Sequence, residues 1–117
     1  MANSSGRIRW GLALLGGFLV EVGIFAVMLP VGSVFGQQAM LYVVVPTCLI
    51  LTFLGGWWVG RRAGSRFVVH GAVVGAVAAL IYIGLTIGQT LPLVYIVTHF
   101  VKVAGGMAGG FAAGRQV

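Results

Sequence analysis

Four uninterrupted apolar runs, at residues 8–29, 39–59, 67–87 and 91–113, constrain this 117-residue chain more than any motif does. Each is about twenty residues long, and a helix of that length spans roughly 30 Å, the hydrocarbon thickness of a bilayer. Backbone groups in lipid must be satisfied within the segment or by closed barrel pairing. The runs show no period-two alternation, so they predict helices. The fold class expected is an all-α integral membrane protein, four transmembrane helices in one compact bundle, forming a single domain over 1–117.

Composition agrees with this reading. The chain is 60% hydrophobic and 7% charged, against roughly 25% charged residues in an average soluble domain. Such a chain cannot cover a water-facing surface. Disorder, coiled coil and a globular cytosolic enzyme are excluded. The connections predicted, 31–38, 60–66 and 88–90, are too short to hold a soluble head. Residues 8–29 are too long for a signal-peptide core and carry Glu21 at their centre, with no small-x-small cleavage site following. Pro30 is expected to stop the first span. Pro46 is expected to kink the second, and Pro92 falls in the first turn of the fourth, where a missing donor does no harm.

The basic excess reads as orientation. Arg7 and Arg9 precede the first span, Arg61, Arg62 and Arg66 fill the middle connection, and Arg115 follows the fourth. The other two connections carry no basic residue. The positive-inside rule places both termini in the cytoplasm of a multi-pass plasma-membrane protein. Trp10, Trp57, Trp58 and Tyr42 suit an interfacial aromatic belt. The net charge of +6 is a topology signal here, and no nucleic-acid partner is expected. Cys48 is the single cysteine, so it has no partner in the chain and reads as a small apolar residue.

The two halves echo each other. Span two ends in Gly55-Gly56-Trp57-Trp58-Val59-Gly60-Arg61, and span four in Gly109-Gly110-Phe111-Ala112-Ala113-Gly114-Arg115. Both read G-G-x-x-x-G-R. Gly32-x-x-x-Gly36-Gln37 and Gly84-x-x-x-Gly88-Gln89 match in the same way. The pattern suggests two duplicated two-helix units in the same orientation, against chance recurrence among 20 glycines. Gly56 with Gly60, Gly71 with Gly75 and Ala79, and Gly106 with Gly110 and Gly114 are small-x-x-x-small pairs. Together with Gly55, Gly105 and Gly109 they are expected to let helix backbones approach closely. A hinge or a thin wall beside a substrate path is the functional alternative.

The stretch GGWWVGRRAGSRFVVHGAVVGAVAALIY, residues 55–82, resembles the centre of a bacterial family of small four-helix membrane proteins known only as a domain of unknown function. Gly55, Gly56, Gly60, Arg61, Ala63, Gly64, His70, Gly71 and Gly75 carry the likeness, which covers about a quarter of the chain. The resemblance implies the four-helix fold and no particular activity.

The ionisable residues inside the spans are the candidate site. Glu21, the chain's one acid, stands twelve residues after Arg9 and nine before Pro30. Lys102 stands eleven after Leu91 and thirteen before Arg115. Both therefore lie roughly 18–20 Å from the basic end, near the midplane. An unpaired charge there costs about 2.5–3.5 kcal/mol or more. Two at one depth are best satisfied by each other, which makes spans one and four expected neighbours. Gly17, one turn from Glu21, would leave room for a long side chain. Tyr95, Thr98, His99, Lys102 and Gly106 share one helix face as an inward polar stripe. The pair reads either as a structural ion pair fixing helix register or as a proton- or ion-handling site. His99 reads as a hydrogen-bonding cap or as a proton relay, since imidazole exchanges protons near neutral pH. His70 is expected at the interface. Cys48, His70 and His99 lack ligand spacing, so no metal and no cofactor is expected. No nucleophile–base–acid set exists, so the chain is not read as an enzyme.

Three functions compete. One is a structural or accessory subunit, acting through helix packing in the bilayer as a homo-oligomer or in a larger membrane complex. Another is a minimal ion- or proton-coupled transporter or channel using Glu21. The third, a lipid- or cofactor-binding subunit of an energy-transducing complex, has no cofactor ligand set behind it. Small multidrug exporters also have four spans and one buried glutamate in the first, and Leu19-Val20-Glu21-Val22-Gly23 is similar to that segment. Those exporters pair in opposite orientations, which the one-sided arginines here oppose, and Lys102 would compete with a cationic substrate for Glu21.

Overall fold

A computed structural model describes residues 8–90 and 93–115. Four helices follow in order, α1 (Trp10–Phe35), α2 (Gln37–Ala63), α3 (Phe67–Leu85) and α4 (Leu93–Arg115). All four are long and apolar enough to cross a membrane, and they form one compact bundle 49 Å long. One end, here the near end, holds the start of α1, the α2–α3 connection and the end of α4. The far end holds the other two connections.

Helix boundaries depart from the sequence reading where proline and glycine compete. Pro30 does not stop α1, which runs on to Phe35. A proline removes one backbone donor, and within an apolar span neighbouring helices compensate for it. Gly36 ends the helix instead. Its φ of +91° and ψ of 175° lie in a region essentially restricted to glycine, and its N–H donates to the Gly32 carbonyl at 3.1 Å. The connection expected at 31–38 is therefore one residue long. Pro46 likewise lies inside α2 without ending it.

At the near end α2 continues past Val59 to Ala63, which draws Arg61 and Arg62 into its last turn. Cations there complement the helix dipole. Gly64 then takes the left-handed conformation at φ +74°, with its N–H on the Gly60 carbonyl. α3 ends two residues earlier than expected, and α4 extends to Arg115. Arg7, Leu91 and Pro92 lie outside the described residues.

Packing is unequal. α4 lies along the joint face of α2 and α3, and α1 lies against the same two helices. α1 and α4 are the pair with least backbone contact, so the expectation that spans one and four would be neighbours is corrected. Lys102 and Glu21 face each other across the bundle. The outside is apolar, with Phe18, Leu29, Tyr42, Leu80 and Phe100 exposed. That surface suits lipid.

Candidate functional site: a buried ion pair above a glycine lock

α4 carries glycines in adjacent pairs, Gly105-Gly106 and Gly109-Gly110. Neighbouring helical residues sit about 100° apart, so each pair serves two faces at once. Gly105 and Gly109 face α2. A Cβ on Gly105 would meet the Thr52 hydroxyl, and one on Gly109 the Phe53 carbonyl. Gly106 and Gly110 face α3, where a Cβ would meet the carbonyls of Gly71 and Phe67. The approach is mutual. Gly71 and Gly56 are each blocked by the Gly106 carbonyl, and Gly75 by the backbone of Lys102 and Val103. Gly60 lies over Ala113 and Gly110, and Gly114 against the Phe67 ring. Gly55 is turned the other way, toward Val20 of α1. In this half of the bundle the backbones of α2, α3 and α4 touch.

Gly17 differs from its expected role. A Cβ there would meet Val77 of α3 at 2.5 Å, so the missing side chain admits α3 and makes no room beside Glu21. Gly16 similarly admits Val59 and Val74.

Above the lock, Lys102 Nζ donates to Glu21 Oε1 at 3.1 Å. Both side chains are 2% exposed. The ammonium also lies 4.8 Å from the centroid of the Tyr82 ring, a cation–π contact. Among the described residues no hydrogen-bond partner reaches Glu21 Oε2 or His99 Nδ1. Tyr82 is the hub of the aromatic set. It packs near-parallel to Tyr95 at 6.3 Å, tilted to His99 at 5.6 Å and to Phe25 at 6.1 Å.

The polar stripe on α4 divides accordingly. Tyr95, Thr98, Lys102 and Gly106 are buried, and His99 is half-buried against Tyr82. Thr98 donates to the Tyr95 carbonyl of its own helix at 2.6 Å. Cys48, His70 and His99 stay on three different helices. Tyr82 was not singled out from the sequence. Its signal was available in principle, since side chains lean toward their own helix N-terminus. Lys102 on α4 therefore leans toward the far end and Tyr82 on the antiparallel α3 toward the near end, which brings two residues of different depth together.

A cavity of about 100 Å³ adjoins the pair on its far side. Its walls are mostly apolar, and Lys102, Thr98, Cys48, Tyr82 and Tyr95 border it.

At the near end His70 lies in the first turn of α3. The ring is fully buried. Its Nε2 accepts from the Arg9 backbone N–H at 3.0 Å, and its Nδ1 lies 3.0 Å from the Arg66 carbonyl. An amide N–H can only donate, so Nε2 must be the bare nitrogen and Nδ1–H donates to Arg66. His70 thus ties the start of α1 to the start of α3. Arg9 adds a bond from Nη1 to the Arg62 carbonyl at 3.0 Å. Arg61, Arg62 and Arg115 lie over the rings of Trp57, Trp58 and Phe111 at 5.4, 4.8 and 5.7 Å. Arg66 sits at the head of α3 with a left-handed φ of +45°. The described arginines are therefore gathered at one end.

Comparison of the chain with protein-family models, curated proteins and solved structures finds no match.

Proposed function

We propose that the chain is a small multi-pass protein of the plasma membrane, with both termini cytoplasmic, acting as a structural or accessory subunit of a homo-oligomer or larger complex. The observation carrying this reading is the closed 3.1 Å contact between Lys102 and Glu21 across the bundle. Each charge there supplies the other's countercharge, so the one acid is held by the protein's own amine. Such a pair sets helix register and rotation. The repeated G-G-x-x-x-G-R ends support descent from a duplicated two-helix unit.

A second reading, proton- or ion-coupled transport through Glu21, is favoured by the unpartnered Oε2 and the cavity beside Lys102. Flux into proteoliposomes under an imposed pH gradient separates the two. The accessory reading expects wild-type protein to pass no more protons than empty liposomes. It also expects crosslinked assemblies in native membranes to survive when the pair is replaced by Glu21→Gln with Lys102→Met. Flux by the wild type that Glu21→Gln abolishes would replace it with the transport reading.

A further inference from the structure

We propose that the cavity beside Lys102 is a binding site for a neutral, mostly apolar molecule whose head bears a hydrogen-bond-accepting carbonyl oxygen. The polar end of the cavity sets the first requirement. An ammonium group has three N–H donors and no acceptor. One donates to Glu21 Oε1, the group lies over the Tyr82 ring, and Lys102 is part of the cavity lining. The head of an occupant must therefore accept.

Charge sets the second requirement. Glu21 and Lys102 together are neutral and almost fully buried. An anionic head would leave this interior with a net negative charge and a cationic head with a net positive one, each costly in low dielectric. A neutral carbonyl adds a hydrogen bond with no net charge.

Size and shape set the third. A dry cavity of about 150 Å³ holds a benzene molecule. One of about 100 Å³ accommodates a carbonyl and a few carbons. Met28 and Val44 are buried walls, while Leu29, also lining the cavity, is 63% exposed. The remaining tail passes Leu29 to the apolar outside. Toward the near end the way is shut, because Gly106 touches both Gly56 and Gly71 through backbone. The molecule enters and leaves through the far half alone. This inference holds whether the bundle is an accessory subunit or a transporter.

The test uses the full chain in lipid nanodiscs, with 2-nonanone, nonane and nonanoate as probes and thermal unfolding as the readout. The ketone is expected to raise the melting temperature saturably, by about 3–6 °C. Nonane and nonanoate should give markedly smaller shifts. The variant combining Glu21→Gln and Lys102→Met should respond equally to ketone and alkane. Val44→Phe, which fills the cavity and leaves the pair intact, should abolish the ketone's advantage, and it serves where the double variant does not fold. Equal effects of ketone and alkane on the wild type would overturn the site. So would a ketone advantage that persists in Val44→Phe. A nonanoate shift matching the ketone's would overturn the neutral head.

Discussion

Lys102 and Glu21 meet at 3.1 Å although their helices are the two with least backbone contact in the bundle. The contact is made by side-chain length. α2 and α3 hold the distance open, and a lysine and a glutamate together close it. The pair therefore reports on the whole assembly, since a rotation of α1 or α4 would separate the charges.

Replacing either member alone should be costly. Lys102→Met leaves a buried carboxylate without its countercharge, and Glu21→Gln does the same to the ammonium. Each single variant is expected to lose about 3–5 kcal/mol of stability in denaturant titrations. The double variant removes both charges and should recover most of that loss. Additive losses would show that the two groups do not interact energetically.

The glycines should differ sharply by position. Gly106→Ala pushes a methyl into the Gly71 carbonyl, where backbone must move, and is expected to cost about 1–3 kcal/mol. Gly84, also helical, has open space where a methyl would go, with nothing within 4 Å, so Gly84→Ala should be neutral or stabilising by up to ~1 kcal/mol. Equal behaviour of the two in unfolding assays would refute close packing at Gly106.

His70 should matter through its acceptor nitrogen. His70→Leu leaves the Arg9 amide without its protein acceptor, at about 0.5–1.5 kcal/mol. His70→Gln carries an oxygen near the place of Nε2 and should retain more stability. Amide exchange at Arg9 measures the bond directly. It should accelerate in His70→Leu and less so in His70→Gln.

Arg66 holds a left-handed backbone with a side chain that disfavours it. Arg66→Ala and Arg66→Gly remove the same interactions, so their difference isolates the backbone. Glycine is expected to be the more stable by up to ~1 kcal/mol. An alanine variant of equal or greater stability would show no strain at that position.

The number and order of the helices were legible because lipid-length apolar runs allow few alternatives. Depth was legible too, since counting residues from the arginines sets Glu21 and Lys102 at one level. Rotation about each helix axis was not. In a soluble bundle the polar face marks the outside, but here buried Val20 and exposed Leu19 are equally apolar. The opposed placement of α1 and α4 was therefore hidden. Burial of His70 was hidden for another reason, because its partners are the backbone groups of Arg9 and Arg66, which leave no mark in residue type. Pro30 lies inside α1 because an apolar span tolerates a proline that would end a helix in water.

The proposed orientation rests on the gathering of the described arginines, Arg9, Arg61, Arg62, Arg66 and Arg115, at the near end, with Ser33 and Gln89 at the far end. Positive charge near span ends is retained on the cytoplasmic side during insertion. In a Cys48→Ala background, which removes the one native thiol, Ser33→Cys and Gln89→Cys are expected to react with a membrane-impermeant maleimide in intact cells. Arg115→Cys should react only after lysis. Adding charge should shift the balance in a defined direction. Four lysines inserted after Gln89, with Arg61, Arg62 and Arg66 changed to Gln, should expose Arg115→Cys from outside in part of the population. Labelling of Ser33→Cys or Gln89→Cys only after lysis would reverse the proposed orientation.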